Sequence, residues 1–241
     1  MFSMRHKKDP VEYFSFKTFG KLEDRVVFFF TAFRTKYWLY YPTIKFLTNA
    51  GYYVIVYDID ASMIFHGEVA DFLKVTEALV EDVKQQVSSL KKQGAKAFFS
   101  YGVSMGTILA MRTAIEIADI KKIVANLTYG SLAESVWSWN ALKGVRKRLE
   151  EDGISKEKLE KLLEPVSPLS MAPKLKGKKL LLYLAKNDKM IFFRHSRQFK
   201  EALDKASIDY IYHQNNIFGH IISGSLNNLR SKIYLDFFGQ K

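Results

Sequence analysis

The sequence contains no cysteine, which excludes disulfides, thiolate metal sites and a cysteine nucleophile together. A cysteine-free chain survives in either redox environment, so compartment is not read from this. Long apolar runs are missing too. The longest, Val26 to Phe30 with Ala32 and Phe33, is far short of the roughly 20 residues that cross a bilayer. Near the N-terminus the positive charge of Arg5, Lys7 and Lys8 is not followed by the apolar stretch of a secretory signal. Asp9, Glu12 and Lys17 interrupt it. The expectation is a soluble, cytoplasmic protein. There is no internal repeat, no low-complexity tract and no Pro/Gly/Ser-rich linker. Zinc-finger spacing, an RNA-recognition signature and a GxxG loop are absent, so nucleic acid is not expected as the main partner.

Acidic residues are scarce relative to basic ones, 25 against 37, for a net charge of +12. The basic residues cluster at Arg5 to Lys8, Lys143 to Arg148 and Lys174 to Lys179. Such patches read either as solvated surface or as attachment points for an anionic substrate or a membrane surface.

What is present points to one α/β domain. The 241 residues and 48% hydrophobic content suffice for a single sizeable core. Short strand-like runs alternate with helical stretches, the pattern of βαβ units and a mostly parallel sheet. Tyr13 to Phe19 alternates aromatic and polar, as an edge strand does. Arg25 to Phe30 and Tyr52 to Tyr57 are continuously apolar, as strands covered on both faces are. A helix is predicted from about Tyr37 to Asn49, and a long one from Glu68 to Gln93. The long one carries Val75, Leu79, Val83, Val87 and Leu90 on one face. Ala97 to Tyr101, Lys122 to Leu127, Lys179 to Ala185 and Ile208 to Tyr212 are predicted strands. Met105 to Ile117, Phe193 to Lys205 and Ile222 to Phe238 are predicted helices. Residues 131–170 contain no strand and read as a helical insertion between two strands.

The chemical signal is Gly102-Val103-Ser104-Met105-Gly106. The five-residue pattern alone is common, but here a predicted strand runs into it and a predicted helix runs out. A serine so placed sits on a tight, strained turn, and both glycines are needed because a side chain would strike the neighbouring strand and helix. The turn raises the serine hydroxyl above the sheet and sets the Met105 N–H at a helix N-terminus, where it can stabilise an oxyanion. A nucleotide-binding turn would instead want Gly-x-Gly-x-x-Gly early in the chain.

A serine nucleophile needs a base. Of His6, His66, His195, His213 and His220, only His220 follows the last strand and precedes the terminal helix, with Gly219 giving its loop freedom. His213 competes but ends a strand. Asp188, just past the strand Lys179–Ala185, emerges at the C-terminal edge of the sheet and can orient the base. Asp204 lies in a helix, and Asp209 at the wrong end of a strand. The order Ser, Asp, His suits this architecture. By register the second oxyanion donor is the Phe33 N–H, in Thr31-Ala32-Phe33-Arg34-Thr35.

These residues make the chain resemble the α/β-hydrolase superfamily, particularly its single-domain esterase and monoacylglycerol-lipase-like branch. The resemblance extends from about Tyr13 to Phe238. It rests on Gly-Tyr-Tyr-Val-Ile-Val-Tyr-Asp at 51–58, the elbow at 102–106, Pro168 to Leu184 leading to Lys-Asn-Asp at 186–188, and Gly219-His220. It implies a mostly parallel central sheet flanked by helices, with residues 131–170 as the helical cap. It also implies a carboxylesterase- or lipase-like serine hydrolase in which Trp137 and Trp139 serve an acyl-binding pocket. Such enzymes need no metal or organic cofactor. Two departures stand out: Thr31-Ala32 replaces the branch's usual His-Gly at the oxyanion turn, and Asp58 to Met63 lacks its Asp-x-x-Gly-x-Gly-type segment. The substrate expected is a small-molecule acyl ester or thioester, with an anionic head such as that of a lysophospholipid favoured by the charge. Acyl transfer by the same triad, amide or carbon–carbon cleavage, and a non-catalytic ligand-binding role remain as alternatives.

Overall fold

In the computed structural model, described for residues 9–32, 35–60 and 69–239, the chain winds seven strands into one sheet. They are β1 (Phe14–Phe19), β2 (Arg25–Phe30), β3 (Tyr53–Ile59), β4 (Ala97–Val103), β5 (Ile120–Asn126), β6 (Lys179–Ala185) and β7 (Asp209–Asn215). The spatial order is β1-β3-β2-β4-β5-β6-β7. Only β1 runs antiparallel, along β3 at one edge; the other strands pair in parallel.

Both faces of the sheet are covered, and β2 shows why its sequence is apolar from Val26 to Phe30. Val26, Phe28 and Phe30 point into one core cluster, Val27 and Phe29 into the other, and all five are fully buried. The first cluster takes the predicted face of the long helix α2 (Val69–Lys92), with Val75, Leu79, Val83, Val87 and Leu90 all inside. It also takes α3 (Gly106–Glu116) and α8 (Phe193–Lys205). The second cluster is aromatic-rich. It is closed by α1 (Tyr41–Asn49) and by α10 (Ser231–Gly239), which inserts Tyr234, Phe237 and Phe238.

Between β5 and β6 the chain makes only helix: α4 (Leu132–Ser138), α5 (Lys143–Glu151), α6 (Lys156–Leu163) and the single turn α7 (Pro168–Met171), with short 3-10 turns between them. Ser131 and Ser155 start α4 and α6 by accepting the N–H groups of Glu134 and Lys158, the side-chain capping that leaves fewer orphan donors.

Three sequence expectations are corrected. The last strand runs to Asn215, so His213 lies inside it, its ring stacked on Tyr183 at 5.0 Å, rather than at its end. The terminal helix is two helices, α9 (His220–Leu229) and α10, broken at Arg230. The break turns Tyr234 back so that its hydroxyl donates to the carbonyl of Asn227, which also accepts the Arg230 N–H at 2.9 Å. Gly219 has φ −80°, which any residue adopts. What it supplies is closeness, since a Cβ there would lie 3.2 Å from the Asn187 carbonyl oxygen. Among the described residues, no helix is long and apolar enough to cross a membrane.

Candidate active site

At the C-terminal end of β4 the chain reverses into α3 through Ser104, which holds φ +52°. A non-glycine residue there is strained by its Cβ. The surroundings leave the turn no alternative. A Cβ on Gly102 would sit 2.4 Å from the Gly106 carbonyl oxygen, and one on Gly106 would sit 2.3 Å from that of Phe30. The Ser104 N–H donates to the Asn126 carbonyl at 2.8 Å. Its own carbonyl accepts from the Thr107 N–H at 3.0 Å and the Thr107 hydroxyl at 2.6 Å. The strand-to-helix turn expected from the glycines is therefore fastened on both sides, and Met105 stands at the N-terminus of α3.

Asp188 lies beyond the end of β6. One carboxylate oxygen accepts the Met190 and Ile191 N–H groups at 2.8 Å each, and the other faces His220 Nδ1 at 2.6 Å. An ionised carboxylate only accepts, so this contact assigns the proton of the neutral ring to Nδ1. Nε2 is then the acceptor for the Ser104 hydroxyl at 3.0 Å. The His220 and Asp188 side chains are 9% and 3% exposed, so the ring is shielded from competing water. His220 is the first residue of α9. The loop leading to it is tied to the Asp188 loop by Asn187, whose amide donates to the carbonyls of Asn216 and Ile217 at 3.0 Å each. The structure thus brings together the three residues singled out in the sequence.

The other histidines are elsewhere. His195 is buried in α8, 3.6 Å from Glu134, with burial pushing its pKa below the usual value. His213 is on β7. His6 and His66 lie outside the described residues, as does Phe33, the expected second oxyanion donor. Around Phe33 the turn is braced by groups that sequence reasoning missed. The Ala32 N–H donates to the Tyr40 hydroxyl at 3.1 Å, Thr35 Oγ1 donates to the Ala32 carbonyl at 2.6 Å, and Thr31 Oγ1 donates to the Tyr57 carbonyl at 3.1 Å. Burial raises the Tyr40 pKa, so its phenol stays protonated.

Asn126 was also missed. Its carbonyl receives Ser104, while its side chain holds α9. Nδ2 donates to Asn228 Oδ1 at 2.8 Å, and Oδ1 accepts from Asn227 Nδ2 at 2.9 Å. Tyr101 adds a bond to Asn228 at 2.8 Å. One buried side chain therefore links the turn bearing Ser104 to the helix bearing His220.

Ser104 opens on a cavity of about 580 Å3, within the range of small-molecule sites. Its walls come from the sheet edge and from residues 131–170: Leu132, Val136, Trp139, Val145, Leu159 and Leu163 among others. Trp139 lines it. Trp137 does not; it packs against the core, and its carbonyl accepts from Arg146 at 2.6 Å. No lysine, arginine, aspartate or glutamate is among the lining residues described. The Lys174–Lys179 patch runs into the start of β6 at the opposite end of the sheet, and Lys178 there is spent on the Ile117 and Ile120 carbonyls. The Arg5–Lys8 patch lies outside the described residues. Among the described residues, no group of three or more acidic or histidine side chains is placed to hold a metal.

No protein-family model matches the sequence, and no curated protein matches it. Solved structures do. An acylaminoacyl peptidase from Pyrococcus horikoshii superposes with TM-score 0.72 at 14% identity over 95% of this chain, which spans 42% of that protein's length. Acetyl xylan esterase 1 from Thermoanaerobacterium gives TM-score 0.68 at 15% identity, covering 93% of this chain and 79% of that one. An alpha/beta hydrolase enzyme from the metagenome of sediments of the Mar Chica lagoon gives 0.60 at 16%, covering 94% of each chain. At these identities the likeness is one of fold.

Proposed function

We propose that this chain, an α/β-hydrolase in fold, is a serine hydrolase that cleaves an ester or thioester of an aliphatic acyl group. The observation that carries the proposal is the run from Ser104 Oγ to His220 Nε2 at 3.0 Å and on to Asp188 at 2.6 Å, opening on an apolar cavity.

In this mechanism the acyl chain lies against the hydrocarbon walls, which favour it by roughly 0.8 kcal/mol per buried methylene. Ser104 attacks the carbonyl carbon as His220 Nε2 takes its proton. Asp188 holds the ring in the Nδ1–H tautomer and stabilises the imidazolium. The Met105 N–H receives the oxyanion, with the Phe33 N–H as the proposed second donor. His220 returns the proton to the leaving oxygen or sulfur. Water then attacks the acyl-enzyme with His220 again as base, freeing the acid and Ser104.

Similar folds include an acylaminoacyl peptidase and the thioesterase domain of the curacin biosynthetic pathway, so the fold is shared across leaving groups. The uncharged lining favours an aliphatic acyl chain over a peptide, whose amides would need hydrogen-bond partners inside. An anionic head, if the substrate has one, belongs outside the cavity at its mouth.

The test is labelling with a fluorophosphonate and turnover of p-nitrophenyl esters of increasing chain length. The parent is expected to label and to prefer longer chains. Ser104→Ala and His220→Ala should lose roughly 10^4-fold or more of the turnover. A folded parent that neither labels nor hydrolyses any ester in the series would refute the proposal and leave a ligand-binding role.

A further inference from the structure

Helix α9 is built inside out. Its buried residues are polar or small: Ser223, Gly224, Asn227 and Asn228, with the two asparagines bonded to Asn126 and Tyr101. Apart from Ser225, its exposed residues are large and apolar: Ile221 at 72%, Ile222 at 53%, Leu226 at 37% and Leu229 at 60%. At 100° per residue these four fall within an arc of about 140°, an apolar stripe turned toward solvent and interrupted by Ser225. From His213 to Leu235 there is no acidic residue, and Arg230 is the first residue after His220 to carry a full charge.

The stripe does not stand alone. Thr43 of α1 donates to the Asn228 carbonyl at 2.7 Å, which sets the start of α1 beside α9. There Trp38, Leu39 and Tyr41 are 61%, 50% and 52% exposed. Ile217, 73% exposed, continues the patch at the other end. Leu39 from one side, with Ile221 and Leu229 from the other, also line the cavity that opens at Ser104. The apolar surface is therefore the rim of the cavity.

Among the described residues of these stretches the exposed charged side chains are all cationic: Lys36 and Lys45 flank the 37–42 segment, Lys186 and Lys189 sit on the loop tied to Ile217, and Arg230 and Lys232 follow α9. Asp188, the sole acid in these stretches, is buried against His220.

We propose that this face docks on an anionic phospholipid surface. Ile221, Ile222, Leu226, Leu229, Trp38 and Leu39 would enter the boundary between headgroups and acyl chains, with the lysines and Arg230 on the phosphates. Charge decides against a second copy. Two such faces meeting about a two-fold axis would set like charges against each other. An anionic interface neutralises them, each cation near it strengthening binding by roughly fivefold. Tryptophan and tyrosine suit a boundary with one apolar and one wet side. The cavity then opens directly onto the lipid, so an acyl chain passes from bilayer to Ser104 without crossing water.

The experiment is co-sedimentation with vesicles of phosphatidylcholine alone and of phosphatidylcholine mixed with phosphatidylglycerol. It compares the parent, Ser104→Ala and the triple variant Trp38→Ser, Ile222→Ser, Leu226→Ser, none of whose positions lines the cavity. The parent and Ser104→Ala are expected to bind the anionic vesicles equally and the neutral ones far more weakly. The triple variant should lose roughly tenfold or more while keeping the parent's thermal unfolding. Because Ser104→Ala is included, the docking result stands apart from whether the chain hydrolyses esters. Retained binding by the triple variant would overturn the proposal, leaving the basic patches to act alone. A folded parent that ignores anionic vesicles would overturn it as well. So would a dimer in gel filtration that the triple variant dissolves, since a second copy would then be the occupant.

Discussion

Substituting Gly106 by alanine tests whether the turn at Ser104 is as tightly wedged as the distances imply. The added Cβ would lie 2.3 Å from the Phe30 carbonyl oxygen and 2.7 Å from that of Thr31. An ordinary carbon–oxygen contact is about 3.3 Å, so the shortfalls are roughly 1.0 and 0.6 Å. Both obstacles are main chain at the fully buried end of β2, so no side chain can swing aside. The first turn of α3 must move. Overpacking of this sort costs about 1–3 kcal/mol, and the upper end applies because backbone has to yield. A shift near 1 Å also displaces Ser104 Oγ from His220, which costs on the order of 100-fold in turnover. Gly144 in α5 is the control, with nothing within 4 Å of its Cβ position. Alanine there is expected to stabilise by about 0.5 kcal/mol through helix propensity. Urea denaturation of both variants, with kcat/KM on a water-soluble ester, gives the answer. The same chemical change should move stability in opposite directions at the two sites. If Gly106→Ala stays within about 0.5 kcal/mol of the parent and within twofold in activity, the wedge does not exist.

Other expectations follow from single contacts. Ser104→Gly relieves the Cβ strain at φ +52° that Ser104→Ala retains, so the glycine variant should be the more stable by about 1 kcal/mol, both being inactive; equal melting curves would show the turn unstrained. Asn126→Leu strands the amide of Asn227 and weakens the hold on α9, and should cost about 2–4 kcal/mol and slow ester turnover, read by denaturation and by kinetics at saturating substrate; unchanged kcat would mean the asparagine network does not position His220. His195 has a pKa lowered from 6.5 by burial, so the unfolded chain binds its proton first. Its contribution to stability is present above pH 6.5 and is lost as pH falls below that value. His195→Gln should flatten the acid limb of a stability–pH curve, the remaining slope including His213, whose pKa burial also lowers; an unchanged slope would refute the assignment.

Much of this fold is legible in residue order because strong, local signals agree. Val26 to Phe30 can only be a strand buried on both faces, and Val75 to Leu90 can only be one side of a helix. Gly102 and Gly106 bracket a serine between such elements, and the atoms they nearly touch explain both. The residues of the cavity are a different matter. Leu39, Val69, Val136, Leu159 and Leu229 come from five separate elements, and no spacing connects them. Asn126 is one polar residue at a strand end until the structure sets it against α9. The break at Arg230 is hidden because apolar residues recur at helical intervals on both sides of it, from Ile221 to Phe238. Trp137 is on α4 whereas Trp139 is the extended residue just past its end, so a spacing of two does not put them on one face, and Trp139 reaches the cavity while Trp137 does not.

The contact between Ser104 and His220 closes a loop of 116 residues. Between them the chain must lay down β5, the four helices of the insertion, β6 and β7, and β4 itself pairs with β2 roughly seventy positions earlier. Long-range pairings of this kind form slowly, because loop closure has to be met before contacts repay it. The pair therefore exists only once the last strand has docked and α9 has settled on Asn126. If Ser104 labels as proposed, timed labelling during refolding becomes a clock for the final stage of folding, and an intermediate lacking β7 is expected to be silent however native the rest of its sheet.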